Sequence, residues 1–186
     1  MPVFQNSTVA SDKLILGNCK MEYAATTVGS SYINVGAGRV TAWNHALVKY
    51  DTQAGNAPEP IEGIADETMT IDYELIEFDT SVISAIMSGA TASSVATSVQ
   101  TIHAGGNQVL TPRAFRFTNT RFNAAGVTVQ TILAVYKGLP TDGPQISFKD
   151  DNDTDPIAVL SGSIIAKLDA SRAKGKQLYY ITTETS

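Results

Sequence analysis

TIDYELIEFDTSVISAIMSG, residues 70–89, changes its hydrophobic period from two to about 3.6 within one short stretch. Along 70–78, Ile71, Tyr73 and Leu75 alternate with Asp72 and Glu74, which gives a strand one apolar and one acidic face. From Asp79 onward the apolar positions are Val82, Ile83, Ile86 and Met87, one side of a helix over 80–88. Asp79 or Thr80 can cap its first amides, and Gly89 suits the left-handed residue that ends it. The unit is architectural. It sets negative charge on a sheet surface and predicts an apolar helix packed on the sheet's other side or bridging to a neighbour.

Outward from this unit, the same reading predicts strands at 13–16, 19–24, 38–50, 68–78, 95–103, 112–118, 127–137, 145–149, 157–167 and 176–184. The alternation is cleanest where Val127, Val129, Thr131, Leu133 and Val135 form one face and Thr128 and Gln130 start the other. A single helical turn is expected near 170–174, after Asp169. Turn residues gather at 105–107, 120–126, 140–144 and 150–156. Two segments carry no period: 26–38, rich in Gly, Ser and Asn, and 51–66, DTQAGNAPEPIEGIAD. An irregular connection of that length is usually functional or disordered, and is expected as a floppy lid in a monomer or, in an assembly, as an arm that orders against a neighbour. The fold class is mainly β, in one domain with one flanking helix.

Composition agrees. The 186 residues are 43% hydrophobic but only 17% charged, and suffice for one sizeable core. Cys19 is the sole cysteine, so no internal disulfide framework holds the chain. It lies on an alternating strand with Met21 and Tyr23 and reads as core. No apolar run reaches the roughly 18–20 residues of a membrane span. The first residues lack the basic and apolar regions of a signal peptide, so synthesis in a cytoplasm is expected. A net charge of −5 opposes gripping nucleic acid, which needs clustered cations. The basic runs Arg113–Arg116–Arg121 and Arg172–Lys174–Lys176 read as solvated faces or partners of acidic neighbours.

A search for chemistry finds fragments. His45 and His103 stand far apart, without metal-ligand spacing to Cys19. Asp151, Asp153 and Asp155 begin like a calcium loop, but Pro156 replaces the turn glycine and Gly162 the closing glutamate. Gly36-Ala37-Gly38 lacks its third glycine, Thr41 standing there, and no helix follows. Ser171-Arg172-Ala173-Lys174 matches a Ser-x-x-Lys pattern without companion motifs. Asn6 and Asn152 are sequons without a secretory context. Asp72, Glu74 and Glu77 could pair as acid and base, yet two of them share an open strand face. No catalytic, cofactor or metal site is expected, and the chain does not read as an enzyme.

With that chemistry empty, the order of segments resembles the major tail (tail tube) proteins of long-tailed bacteriophages. LILGNCKMEYA resembles the family's opening strands, and 35–66 its long inter-ring loop. TIDYELIEFDTSVISAIMSG resembles the central strand and flanking helix. QISFKDDNDTDPIAVLSGSIIAKLDASRAKGKQLYYITTE resembles the C-terminal strands, including the turn that carries Asp169, Arg172, Gly175 and Leu178. The resemblance implies a β-sandwich or half-barrel of two packed sheets, copies of which close into hexameric rings. Stacked rings would make a conduit for DNA ejection in a virion tail, with no membrane involved and no specific hold on DNA. It implies tail terminator, tape measure and distal tail proteins as partners.

On that footing Asp72, Glu74, Thr128 and Gln130 are expected to face the lumen, and Asn56, Pro58, Glu59, Pro60 and Ile61 to form the inter-ring arm. Val82, Ile83, Ile86 and Met87 are the helix-packing set. Alternatives are a capsid decoration or head–tail connector protein, a related secretion or injection tube subunit, and a monomeric ligand-binding sandwich. Against the last, Trp43 is the only tryptophan, where sugar sites usually present several aromatics.

Overall fold

The computed structural model describes residues 17–24, 31–52, 61–78, 91–96, 99–103, 111–123, 125–141, 143, 145–148 and 159–185. Ten strands run through them: β1 (Asn18–Ala24), β2 (Ile33–Thr52), β3 (Ile61–Phe78), β4 (Thr91–Ala96), β5 (Val99–His103), β6 (Arg113–Phe122), β7 (Thr128–Pro140), β8 (Gln145–Ser147), β9 (Val159–Ala166) and β10 (Tyr179–Thr185). The chain is mainly β, as its alternation predicts. The helix over 80–88, with Val82, Ile83, Ile86 and Met87, lies outside the described residues, as do 13–16 and the acidic loop at 151–155.

Eight strands form one antiparallel sheet in the order β10-β7-β6-β1-β2-β3-β9-β8, and β4 and β5 make a separate hairpin. The large sheet also meets itself. β7 pairs with β10 along 129–135, then bends and pairs with β9 along 138–140. Six strands thereby close into a flattened barrel whose two walls are halves of one sheet.

The core is layered across the strands. Tyr23, Phe115, Val135 and Tyr179 are register partners from β1 to β10, and Met21, Phe117, Leu133 and Ile181 form the next layer. The opposite wall supplies Met69, Ile71, Tyr73 and Leu75 from β3 and Leu160, Ile164 and Ala166 from β9. Tyr73 meets Phe117 between the walls, their ring centroids 6.3 Å apart. The alternation that separates Ile71, Tyr73 and Leu75 from Asp72 and Glu74 is realised: the three apolar side chains are buried and the carboxylates lie on the far face. Cys19, Met21 and Tyr23 are buried as expected.

Three expectations need correction. The single strand read at 95–103 is instead the hairpin of β4 and β5. Segments 26–38 and 51–66 are not irregular throughout, because β2 begins at Ile33 and β3 at Ile61, which leaves only 53–60 between them outside the described residues. The expected helical turn at 170–174 is instead a series of turns and bends. Asp169 there satisfies backbone and side-chain donors locally, which competes with continuing a helix.

Candidate functional site

β2 and β3 outrun the barrel. The last pair that β3 makes with β9 is Met69 with Ala166, and Met69 also pairs with His45. Beyond it, β2 and β3 stay paired from Ala46–Thr68 to Thr52–Ile61, with one register shift at Val48/Lys49. At about 3.3 Å per residue this two-stranded ribbon projects on the order of 20 Å. All of residues 41–49 are exposed, so both faces of the ribbon are open. Leu47, Val48 and Ile64 on it are 46%, 55% and 51% exposed. Asn56, Pro58, Glu59 and Pro60 lie outside the described residues, in the segment between β2 and β3, and Ile61 opens β3.

The ribbon's root is anchored on the opposite wall. Trp43 and His45 pair with the buried Ile71 and Met69. Tyr179 of β10 meets Trp43 edge-on at 5.7 Å between ring centroids, and its hydroxyl lies 3.2 Å from His45 Nδ1. Glu67 Oε2 stands 4.0 Å from His45 Nε2 on the other side. A cleft of about 340 Å³ opens here, lined by His45, Glu67, Gln177 and Tyr179 among others.

The acidic face of β3 is less bare than its sequence implies. Arg39 Nε donates to Glu74 Oε2 at 2.8 Å and Nη2 approaches the same oxygen at 2.5 Å. Ser163 Oγ donates to Asp72 Oδ1. Both carboxylates line a cleft of about 240 Å³ with Thr41, Gln145, Ser161 and Ser163. Thr128 and Gln130 also lie on the face away from the core, but on β7, with β6, β1 and β2 between them and β3 along the sheet. Gln130 does share a row with Glu74: Thr120 of β6 pairs Gln130, and Asn18 of β1, two residues from the Lys20–Thr118 pair, meets Arg39 opposite Glu74.

Among the described residues two carboxylates are buried: Glu22, which the sequence reading did not name, and Asp169, which it placed only at a turn. Glu22 takes Arg116 Nε at 2.7 Å and Nη2 at 2.6 Å on Oε2, and Lys20 Nζ at 2.7 Å on Oε1. The Arg116 guanidinium also lies 4.0 Å from the centroid of the Tyr32 ring. Asp169 accepts from Ser171 Oγ at 2.7 Å and pairs with Lys137 Nζ at 3.0 Å. Arg172 adds a bond to it at 3.3 Å and lies 3.6 Å from the centroid of the Tyr136 ring. Arg116 and Arg172, named from the basic runs, thus serve acidic neighbours. Ser171, the hydroxyl of the Ser-x-x-Lys match, brackets a turn.

Burial pushes the Cys19 thiol up to about 11, opposite to what a nucleophile needs, despite a backbone hydrogen bond at Val40. Among the described residues no group of three or more His, Cys, Asp or Glu side chains could hold a metal ion, and no helix is long and apolar enough to cross a membrane.

No family model matches the chain, and no curated protein matches it. Three solved structures are similar to it over nearly their whole lengths. A chain of the anti-feeding prophage tube-terminating cap is 12% identical, with all of both chains covered and a TM-score of 0.42. One of the anti-feeding prophage baseplate is 8% identical, covers 94% of this chain and 97% of its own, and has a TM-score of 0.41. A crystal structure of an Hcp protein is 7% identical, covers 91% and 99%, and has a TM-score of 0.38.

Proposed function

We propose that this chain is a structural subunit that polymerises as stacked rings into a tube, in the manner of the phage tail tube proteins its sequence resembles. The observation that carries the reading is the ribbon of β2 and β3. Two strands alone in water are marginal at best. A ribbon with apolar side chains open on it gains its stability by lying against another surface. Two further features support assembly. Among the described residues, β10 and β8 end the large sheet with two different unpaired edges, which invite pairing between copies. A contact between unlike surfaces propagates or closes into a ring according to its rotation, which is how rings and filaments arise.

In this reading six copies close a ring, and the ribbon's tip, Asn56, Pro58, Glu59, Pro60 and Ile61, meets the next ring. Asp72 and Glu74, outward on one wall, present a polar, weakly acidic lumen through which DNA passes unheld, in a virion tail made in the host cytoplasm, while Thr128 and Gln130 face outward from the opposite wall. Arg39 beside Glu74 softens that wall without making it basic. Two like charges ~10 Å apart in water repel by only ~0.4 kcal/mol. Such a wall neither grips nor blocks a phosphate backbone. The helix at 80–88 packs on the sheet or a neighbour, and terminator, tape measure and distal tail proteins meet the tube at its ends.

Electron microscopy of the purified full chain tests the proposal: rings or tubes with a central hole are expected, and discrete monomers at high concentration would overturn it. A second variant isolates the ribbon. Replacing residues 49–65 with an Asn-Gly turn joins Val48 to Asp66 by a two-residue hairpin and leaves the barrel pairs intact. It should keep the far-ultraviolet circular dichroism of a β protein and lose tube growth. A shortened chain that polymerised normally would show that the ribbon is not the stacking element.

A further inference from the structure

The core carries one layer that does not match the others. Beside the layer of Met21, Phe117, Leu133 and Ile181 comes Asn119 of β6, paired with Thr131 of β7, which pairs with Thr183 of β10. The Lys20–Thr118 pair puts Cys19 opposite Asn119 on β1. Three large side chains and a methionine thus give way to a cysteine, an asparagine and a threonine on the inward face, with Thr183 exposed at the end of the layer. Asn119 is 8% exposed and Thr131 fully buried. Among the described residues neither Asn119 Oδ1 nor Thr131 Oγ1 has a hydrogen-bond partner.

The asparagine cannot relieve this by turning over. Its Nδ2 donates to the Asn18 carbonyl at 2.5 Å, which fixes the amide with Oδ1 on the other side. Residues directly opposite on antiparallel strands hold their Cβ atoms ~5 Å apart. Two short side chains on these paired positions can both reach one bridging molecule. Cys19 offers only a weak thiol donor, kept protonated by burial.

We propose that this layer is a binding site for one structural water molecule, held between Asn119 Oδ1 and Thr131 Oγ1. The water donates to the amide oxygen and exchanges a hydrogen bond with the threonine hydroxyl, whose proton rotates to suit. Buried waters typically make two to four hydrogen bonds to polar groups that lack other partners. Through Asn119 and the Asn18 carbonyl, this one ties β7 and β6 to β1. The site depends on the layer's small side chains. Leucine in place of Thr131 would fill the space and leave Oδ1 stranded.

Two measurements on the full chain test the site. A high-resolution map, from a crystal or an assembled tube, should show ordered density within hydrogen-bond distance of both atoms. A direct bond between Asn119 and Thr131, or an unfilled gap, would overturn the proposal. The second is the sign of the Thr131→Val effect on unfolding. With the water present, the near-isosteric change deprives it of a partner and raises the unfolding equilibrium constant roughly tenfold. With no water, valine removes a stranded hydroxyl and the constant falls. Should Thr131→Val fail to fold, Thr131→Ser keeps the hydroxyl and should keep the density, and loss of density there would equally count against the site.

Discussion

Asp169 sits buried where the chain turns from β9 toward β10, and its carboxylate gathers Ser171, Arg172 and Lys137 around it. Hydrogen bonds from the Ser171 hydroxyl and from Lys137 hold its carboxyl down at about 2, against the opposing cost of burial. A depressed folded-state pKa contributes stability that is complete above the unfolded value, near 3.8, and is lost as pH falls toward about 2. Asp169→Asn should therefore destabilise the chain by about 1–3 kcal/mol at neutral pH. The gap between the two proteins in urea titrations should narrow between about pH 4 and pH 2. A constant gap across that range would mean that the charge contributes nothing. The sequence marked this turn through Asp169, Arg172 and Gly175, but it could not show the burial. Lys137 and Tyr136 come from β7, and only the fold brings them there.

β7 serves two walls by bending, and Gly138 stands at the bend. A Cβ added there would lie 2.6 Å from Phe115 Cδ2 and 2.7 Å from Ile164 Cγ2, one from each wall. Gly138→Ala should cost about 1–3 kcal/mol by overpacking, read as a lowered urea midpoint with the same slope. Gly143→Ala, with nothing near its Cβ, is the control and should be close to neutral. The strands were legible where one face is buried and the other wet, as in β3 from 69 to 75 and in β7 from 129 to 135. The ribbon was legible on one side only. The strand read at 38–50 covers most of β2, although residues 41–49 are exposed on both faces. The start of β3 in IEGIADE was not read, because alternation records the contrast between core and solvent, and Ile64, Ala65 and Asp66 are all exposed. The bend at Gly138 and the closure onto β9 leave no trace either, because both depend on partners that periodicity does not name.

At the scale of the whole molecule, apolar and ionic forces oppose one another across any contact between copies. The ribbon offers Leu47, Val48 and Ile64, whose burial gains roughly 25 cal/mol per Å² and is little weakened by salt. Each copy also carries −5, so a ring of six copies, as proposed, would carry −30. Much of the internal charge is spoken for, since Glu22, Glu74 and Asp169 all hold cations of their own chain. Few arginines are then left to form bridges between copies. Screening shortens the reach of the residual repulsion, from ~30 Å at 0.01 M salt to ~8 Å at 0.15 M. The proposed assembly should therefore strengthen with salt: the critical concentration for tube growth, followed by sedimentation or light scattering, is expected to fall from low to physiological ionic strength. Leu47→Asp together with Ile64→Asp should raise it at every salt concentration, because charges placed on the ribbon must be desolvated at the contact. Tubes that dissolve as salt is added would instead assign their cohesion to ion pairs between copies, and the apolar ribbon would lose its role in stacking.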